Sequence, residues 1–392
     1  MDDAGIDASG SINDAASAGC TPNEALRCEN NSFVRCDGEG TAEVTQHCPL
    51  GCHTAAPRCA DINPSNDLAP YLDLATSEPA LNLGLSATID TDSGAITADG
   101  ASVVVKSALH EQPPAPAIRV FIVRNLTAAA VRVTGRNALA VVSAGDIEIE
   151  GVFSASAIGR IAGAGRFNED SCQGGDQNTA SFAAGGAGGG GFGAPGGMGG
   201  TATSTRGTAS GGAAGRVTGN ATLIPLRGGC DSGTIGAQVG TGGGAIQLVS
   251  RTQISLTGVI AANGSSETGG GSGGGILLEA PVVDIAGAVV ANGGAGGGGC
   301  LTPQPGEAGR LDATPATRGL GCAGFGSDGG NGAAGNSGAG NGVSLTLNDG
   351  NATFAGHGGG GAGRIRVNTA SGGLRVTGLF SPNPTTGAVT TR

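Results

Sequence analysis

Acid–base chemistry needs carboxylates held close together, and Glu148 and Glu150 stand two residues apart. On a strand, residues i and i+2 share a face, so both would project the same way, within glycosidase-like reach. A solvated strand face carries such residues by default, and this is the favoured reading. Asp284 and Arg375 are expected to point outward from other strands, but no catalytic cluster follows from their spacing. Asp90 and Asp92 could contribute to a calcium loop, which needs more oxygens in a fixed order. A polar turn is the simpler expectation there. The histidines are His47, His53, His110 and His357. His357, between Gly356 and Gly358, is expected in a flexible setting, unsuited to a preorganised base. No Ser nucleophile stands at a strand-to-helix elbow. Glycine runs match dinucleotide-binding spacing only by chance, without the strand–helix context. Gly326–Gly332 lacks the apolar position of the calcium-binding glycine–aspartate repeat. No catalytic residue, metal site or cofactor is therefore assigned.

Cysteine carries the other chemistry. Six of the ten stand at Cys20, Cys28, Cys36, Cys48, Cys52 and Cys59; the rest are Cys172, Cys230, Cys300 and Cys322. About forty residues cannot bury enough surface to fold without staples, so three disulfides are expected between Cys20 and Cys59. Spacing leaves fifteen pairings open. A zinc site is the rival, since Cys48-x3-Cys52 is followed by His53, but a second close pair is missing. Cys172 with Cys230 and Cys300 with Cys322 could pin loops farther on. Dense cysteine implies an oxidising compartment. Met1 is followed by Asp2 and Asp3 with no basic or apolar leader, so the export segment is expected to lie upstream. No apolar run approaches the roughly 18 residues of a membrane span.

The elements that would position these residues are read from a recurrent pattern, apolar-x-apolar-x-Gly-x-apolar. It runs Ile147 to Phe153 around Gly151, Ile254 to Ile260 around Gly258, Val283 to Val289 around Gly287, and Leu374 to Phe380 around Gly378. Period two makes each copy a half-buried strand, apolar inward and polar outward, and the Gly on the inner face marks a bend. A short strand precedes each copy, at Leu139–Val141, Ile246–Leu248, Ile276–Leu278 and Ile365–Val367. Five residues after each Gly comes Asn263, Asn292 or Asn383, with Ser156 in the earliest copy. Asn suits a left-handed corner, and stacked Asn can hydrogen-bond as a ladder. Stacking such units in parallel gives a β-helix. An antiparallel hairpin array is the rival, with Asn263-Gly264 and Asn292-Gly293 as turns, but Gly-rich sequence follows them instead of strands. Those inserts, such as 184–200, 293–299 and 329–342, are either mobile loops or stacked polyglycine-like extended helices, where only Gly permits close approach.

The chain has 80 Gly and no Trp, so aliphatic side chains must build the core. Its net charge of −11, without any basic run, argues against nucleic-acid binding. The expected class is all-β: a disordered acidic tether (1–19), a Cys-rich module (20–59), a junction (60–100) and a Gly-rich, parallel β-helix-like body (101–392). Strand–Gly–strand units with Asn corners and GGG connectors resemble the filamentous-haemagglutinin-type repeats of Gly-rich β-helical bacterial surface proteins. The whole layout is similar to secreted or lipoprotein surface proteins of myxobacterial type. The resemblance implies this architecture and a place outside the cell or anchored on its surface, while the tether, the disulfide head and the long repetitive face lead to the expectation of a non-enzymatic structural or adhesive role. Its partners would be polysaccharide, cell-surface components or further copies of the chain. The other class to weigh is a carbohydrate-active β-helix lyase or hydrolase.

Overall fold

The computed structural model describes residues 19–168, 171–302, 304–348 and 350–392; the acidic tether, up to residue 18, lies outside them. Two compact units are present, one reaching to Asp61 and including Thr391–Arg392, the other Ile62–Thr390. Strands dominate both, and one short α-helix, Ala69–Leu74, stands among the described residues.

The first unit is built on an antiparallel sheet of Ala25–Glu29, Ser32–Cys36 and Glu43–His47. Its first turn places Asn30 (φ 47°) and Asn31 (φ 59°) in the left-handed region, as a two-residue hairpin of the primed type requires. Asp37 closes the next turn by accepting from the Thr41 amide (2.8 Å) and hydroxyl (2.7 Å). Disulfides join Cys20–Cys36, Cys28–Cys52 and Cys48–Cys59. The zinc alternative is thereby removed, because zinc binds thiolates and these sulfurs are bonded to each other.

The second unit contains three large sheets, and successive stretches of chain contribute one strand to each in constant order. One stretch is Ala138–Ser143, Ile147–Ile149 and Val152–Ser154; the next is Ala245–Ser250, Gln253–Leu256 and Val259–Ala261. Then come Gly275–Glu279, Val282–Ile285 and Ala288–Val290, and finally Arg364–Thr369, Leu374–Val376 and Leu379–Ser381. First strands enter a seven-stranded sheet, second strands a six-stranded sheet and third strands an eight-stranded sheet. Neighbouring copies pair in parallel, so Asn263-Gly264 and Asn292-Gly293 are not hairpin turns. The hairpin array is excluded.

Register explains the core. Ile147, Ile254, Val283 and Leu374 align in one column. Phe153, Ile260, Val289 and Phe380 align in a second, and Leu139, Ile246, Ile276 and Ile365 in a third. All belong to or pack against one buried cluster. Stacking starts earlier than the sequence indicates, for Leu81–Asn82 and Ala87–Asp90, assigned there to a junction, pair with the sheets.

Three details depart from expectation. Gly151, Gly258, Gly287 and Gly378 sit between strands rather than inside one continuous strand. Their role is close approach: a Cβ on Gly258 would collide with the Gly151 carbonyl, and one on Gly287 with that of Gly258. The corner asparagines Asn263 and Asn292 are not left-handed; they act as the rungs of a ladder. The Asn263 amide donates to Ser156 Oγ (2.9 Å), the Asn292 amide to Asn263 Oδ1 (2.7 Å), and Ser381 Oγ to Asn292 Oδ1 (2.5 Å). Asn383 leaves this column and donates to Asn336 Oδ1 instead, while Ser381 is the donor that reaches Asn292 Oδ1. Finally, the central strands of the seven-stranded sheet are buried on both faces, as parallel strands generally are; every residue of Ala138–Ser143, Ala245–Ser250 and Gly275–Glu279 is buried.

The glycine-rich inserts are ordered. Residues 184–193 meet three neighbouring segments at every third residue. Gly185, Gly188 and Gly191 donate to the carbonyls of Asn178, Gly175 and Cys172. Gly186 and Gly189 donate to Gly200 and Gly197, while Ala184, Ala187 and Gly190 accept from Ala355, Gly358 and Gly361. Three residues per turn without internal hydrogen bonds is the geometry of polyproline II, and it points successive amides at successive neighbours. Side chains would block this packing: a Cβ on Gly186, Gly188 or Gly189 falls onto a neighbour's carbonyl.

Candidate functional site

The six-stranded sheet carries the residues first suspected of acid–base chemistry. Glu148 and Glu150 are exposed; Glu148 lies in register between Thr127 and Ser255. Asp284 continues that outward column beside Ser255 and Arg375. The column is polar, and it does not bring a second carboxylate opposite Glu148. Asp90 accepts from Ser93 Oγ (2.6 Å) and the Asp92 amide (2.9 Å), and the hydroxyl bond holds its carboxyl below the usual range. Asp92 accepts from the Arg136 amide (2.8 Å). Both therefore serve the turn that begins the eight-stranded sheet.

The histidines are dispersed. His47 is exposed on the first unit's sheet, and His53 lies in its short hairpin with Cys52. His110 stacks edge-on against Tyr71, with ring centres 5.8 Å apart. His357 is not in a flexible setting. It is 1% exposed, inside the glycine bundle, and its Nδ1 accepts from the Ala187 amide at 2.9 Å. Burial lowers its pKa to about 4, since the low-dielectric surroundings disfavour the imidazolium.

Two buried polar groups escape the sequence pattern. Glu279 would point outward from its strand, yet it is 2% exposed. Its carboxylate accepts from Ser65 Oγ (2.7 Å), Gln247 Nε2 (2.7 Å) and Asn368 Nδ2 (3.0 Å). It anchors the segment leading to helix Ala69–Leu74, which packs near Ile118–Val123 and Ala138–Ser143. Asp231 is similarly enclosed, accepting from Arg166 Nη1, Asn168 Nδ2 and the Gly242 amide, each at 2.8 Å.

The pocket with the clearest chemistry lies where the glycine bundle meets the last stretch of stacked strands. It holds about 200 Å³ and is walled by Ala194, Ala221 and Ala362, with Arg364, Asn383 and Thr385 as polar groups. Arg364 opens the strand Arg364–Thr369 and is half-buried. Its Nε and Nη2 donate to the Thr218 carbonyl at 3.3 and 3.0 Å, and its guanidinium lies 5.6 Å from the centre of the buried Phe192 ring. Arg227 lies 5.2 Å from the same ring and donates to Thr218 Oγ1. Burial and the neighbouring Arg227 charge lower the pKa of Arg364. A wider groove, of about 570 Å³, runs along the bundle surface by Gln173, Asp176 and Arg216.

Disulfides Cys172–Cys230 and Cys300–Cys322 tie the bundle, and no described cysteine is free. Five disulfides fit an oxidising, non-cytosolic compartment. No helix among the described residues is long and apolar enough to cross a membrane. Comparison with known protein families, with curated proteins and with solved structures returns no match.

Proposed function

We propose that this chain is an extracellular or cell-surface structural protein with an adhesive role, and that its body is a parallel β-helix. The helix assignment is supported by three sheets in which successive stretches of chain place their strands in constant order, parallel and in register. The single observation that carries the functional reading is the joining of all ten cysteines, including the two disulfides that lock glycine segments far apart in sequence. A scaffold closed in this way is suited to persistence outside the cell. The resemblance to adhesin-type repeats agrees with it. Residues 1–19 would be the tether, and the partner is polysaccharide or another cell-surface component.

The test applies oxidised protein to a panel of neutral and acidic polysaccharides with calcium, measuring both retention on the polymer and newly formed reducing ends. Saturable retention without new reducing ends is expected. A time-dependent release of reducing ends abolished by Glu148→Gln or Glu150→Gln would replace the adhesive role with a carbohydrate-active enzyme. Absence of retention on every polymer would remove polysaccharide as the partner.

A further inference from the structure

We infer that the pocket at Arg364 is a binding subsite for the carboxylate of an acidic sugar at the end or branch of a polysaccharide. This deepens the adhesive reading and rests on it for the polymer, while the site itself rests on local geometry.

A guanidinium has five N–H donors. Arg364 spends Nε–H and one Nη2–H on the Thr218 carbonyl, leaving three for a ligand. Among the described residues no carboxylate pairs with it. Arg366, two residues along the same strand face, is a second cation, and it is held by Asn368 Oδ1 (2.7 Å) and the Thr386 carbonyl (2.8 Å). Arg227 shares Thr218 and Phe192 with Arg364. A half-buried cation with donors to spare is the partner that a planar carboxylate suits best, because the two match in a fork of parallel hydrogen bonds.

The rest of the lining selects a hydroxylated acid. Asn383 uses Nδ2 on Asn336 (3.1 Å) and keeps Oδ1 as an acceptor. Thr385 donates its hydroxyl to the Ala221 carbonyl (3.0 Å) and keeps oxygen lone pairs. Both can accept from sugar hydroxyls while Arg364 takes the carboxylate. The walls of Ala194, Ala221 and Ala362 leave about 200 Å³, below the roughly 300 Å³ at which drug-sized sites begin. One sugar residue would therefore enter, with the remainder of the polymer outside.

Calorimetric titration of the full oxidised chain with a galacturonate trimer tests this, with its methyl ester as the uncharged counterpart and a sulfated neutral trimer as a second anion. The acid is expected to bind at least tenfold more tightly than the ester, and Arg364→Gln to remove at least tenfold in affinity. Asn383→Ala and Thr385→Val, at exposed positions, are each expected to weaken it several-fold; they carry the test if Arg364→Gln does not fold. Equal binding of acid and ester, unchanged affinity in the folded variants, or no binding by the wild type would overturn the subsite. Equal binding of the sulfated trimer would overturn the carboxylate assignment. Retention of polymers in the panel test with no effect of Arg364→Gln would leave the adhesive reading standing and remove only this site. Conversely, trimer binding lost in Arg364→Gln, with no polymer retained, would keep the site and remove polysaccharide as the adhesive partner.

Discussion

At the scale of single residues, His357 links burial to pH. Its folded pKa of about 4 lies below the ordinary 6.5, so between these values the unfolded chain holds the proton and the folded chain does not. Stability is complete above pH 6.5 and falls as the pH drops towards 4, by about 3 kcal/mol in all. Thermal unfolding of the wild type and His357→Gln across pH 4–7 checks this: the variant is expected to lose most of that slope, and parallel curves would refute it. A second residue contrast concerns the corners. Asn292 is fully buried in the ladder, so Asn292→Ala is expected to cost about 1–3 kcal/mol by leaving buried partners unmade. Asn383→Ala, at an exposed position, is expected to change stability little; equal costs in denaturant titrations would contradict the ladder. The sequence could suggest that Asn stack, because the spacing from each Gly is constant. It could not place His357, because flanking Gly reads locally as freedom while the burial comes from segments more than 100 residues away, such as the one bearing Ala187.

At the scale of elements, the strands were legible because apolar residues alternate with polar ones, and the structure places Ile147, Ile149 and Phe153 inward as that period requires. Less legible was the cover on the seven-stranded sheet. Gln247 and Glu279 occupy outward positions, and their partner Ser65 lies 214 residues before Glu279 in sequence, beyond any local pattern. Arg364 was missed for the same reason, since Phe192, Thr218 and Arg227 reach it from the long stretch between the first two strand sets, Thr218 lying 146 residues before it. Column position sets the cost of core substitutions. Ile254→Ala, at a fully buried middle position, is expected to destabilise by about 2–5 kcal/mol. Leu374→Ala, at the half-buried final position, is expected to cost clearly less. Gly258→Ala is expected to cost about 1–3 kcal/mol through overpacking against the Gly151 carbonyl. Gly38→Ala, with open space around it, serves as the control, and similar melting temperatures for the two would contradict the corner stack.

At the scale of the whole molecule, the central claim is that glycine-rich sequence forms an ordered scaffold beside the stacked sheets instead of loops hung from them. Composition alone left both outcomes open, since Gly is the costliest residue to order and also the only one that lets backbones approach this closely. Backbone hydrogen bonds at every third residue decide between them in the structure. Native-state hydrogen exchange read by mass spectrometry over residues 184–200 and 355–363 measures this most directly. The account predicts protection in these segments comparable to that of Ala245–Ser250 and Gly275–Glu279. Complete exchange there within the dead time, with the sheet strands still protected, would contradict it.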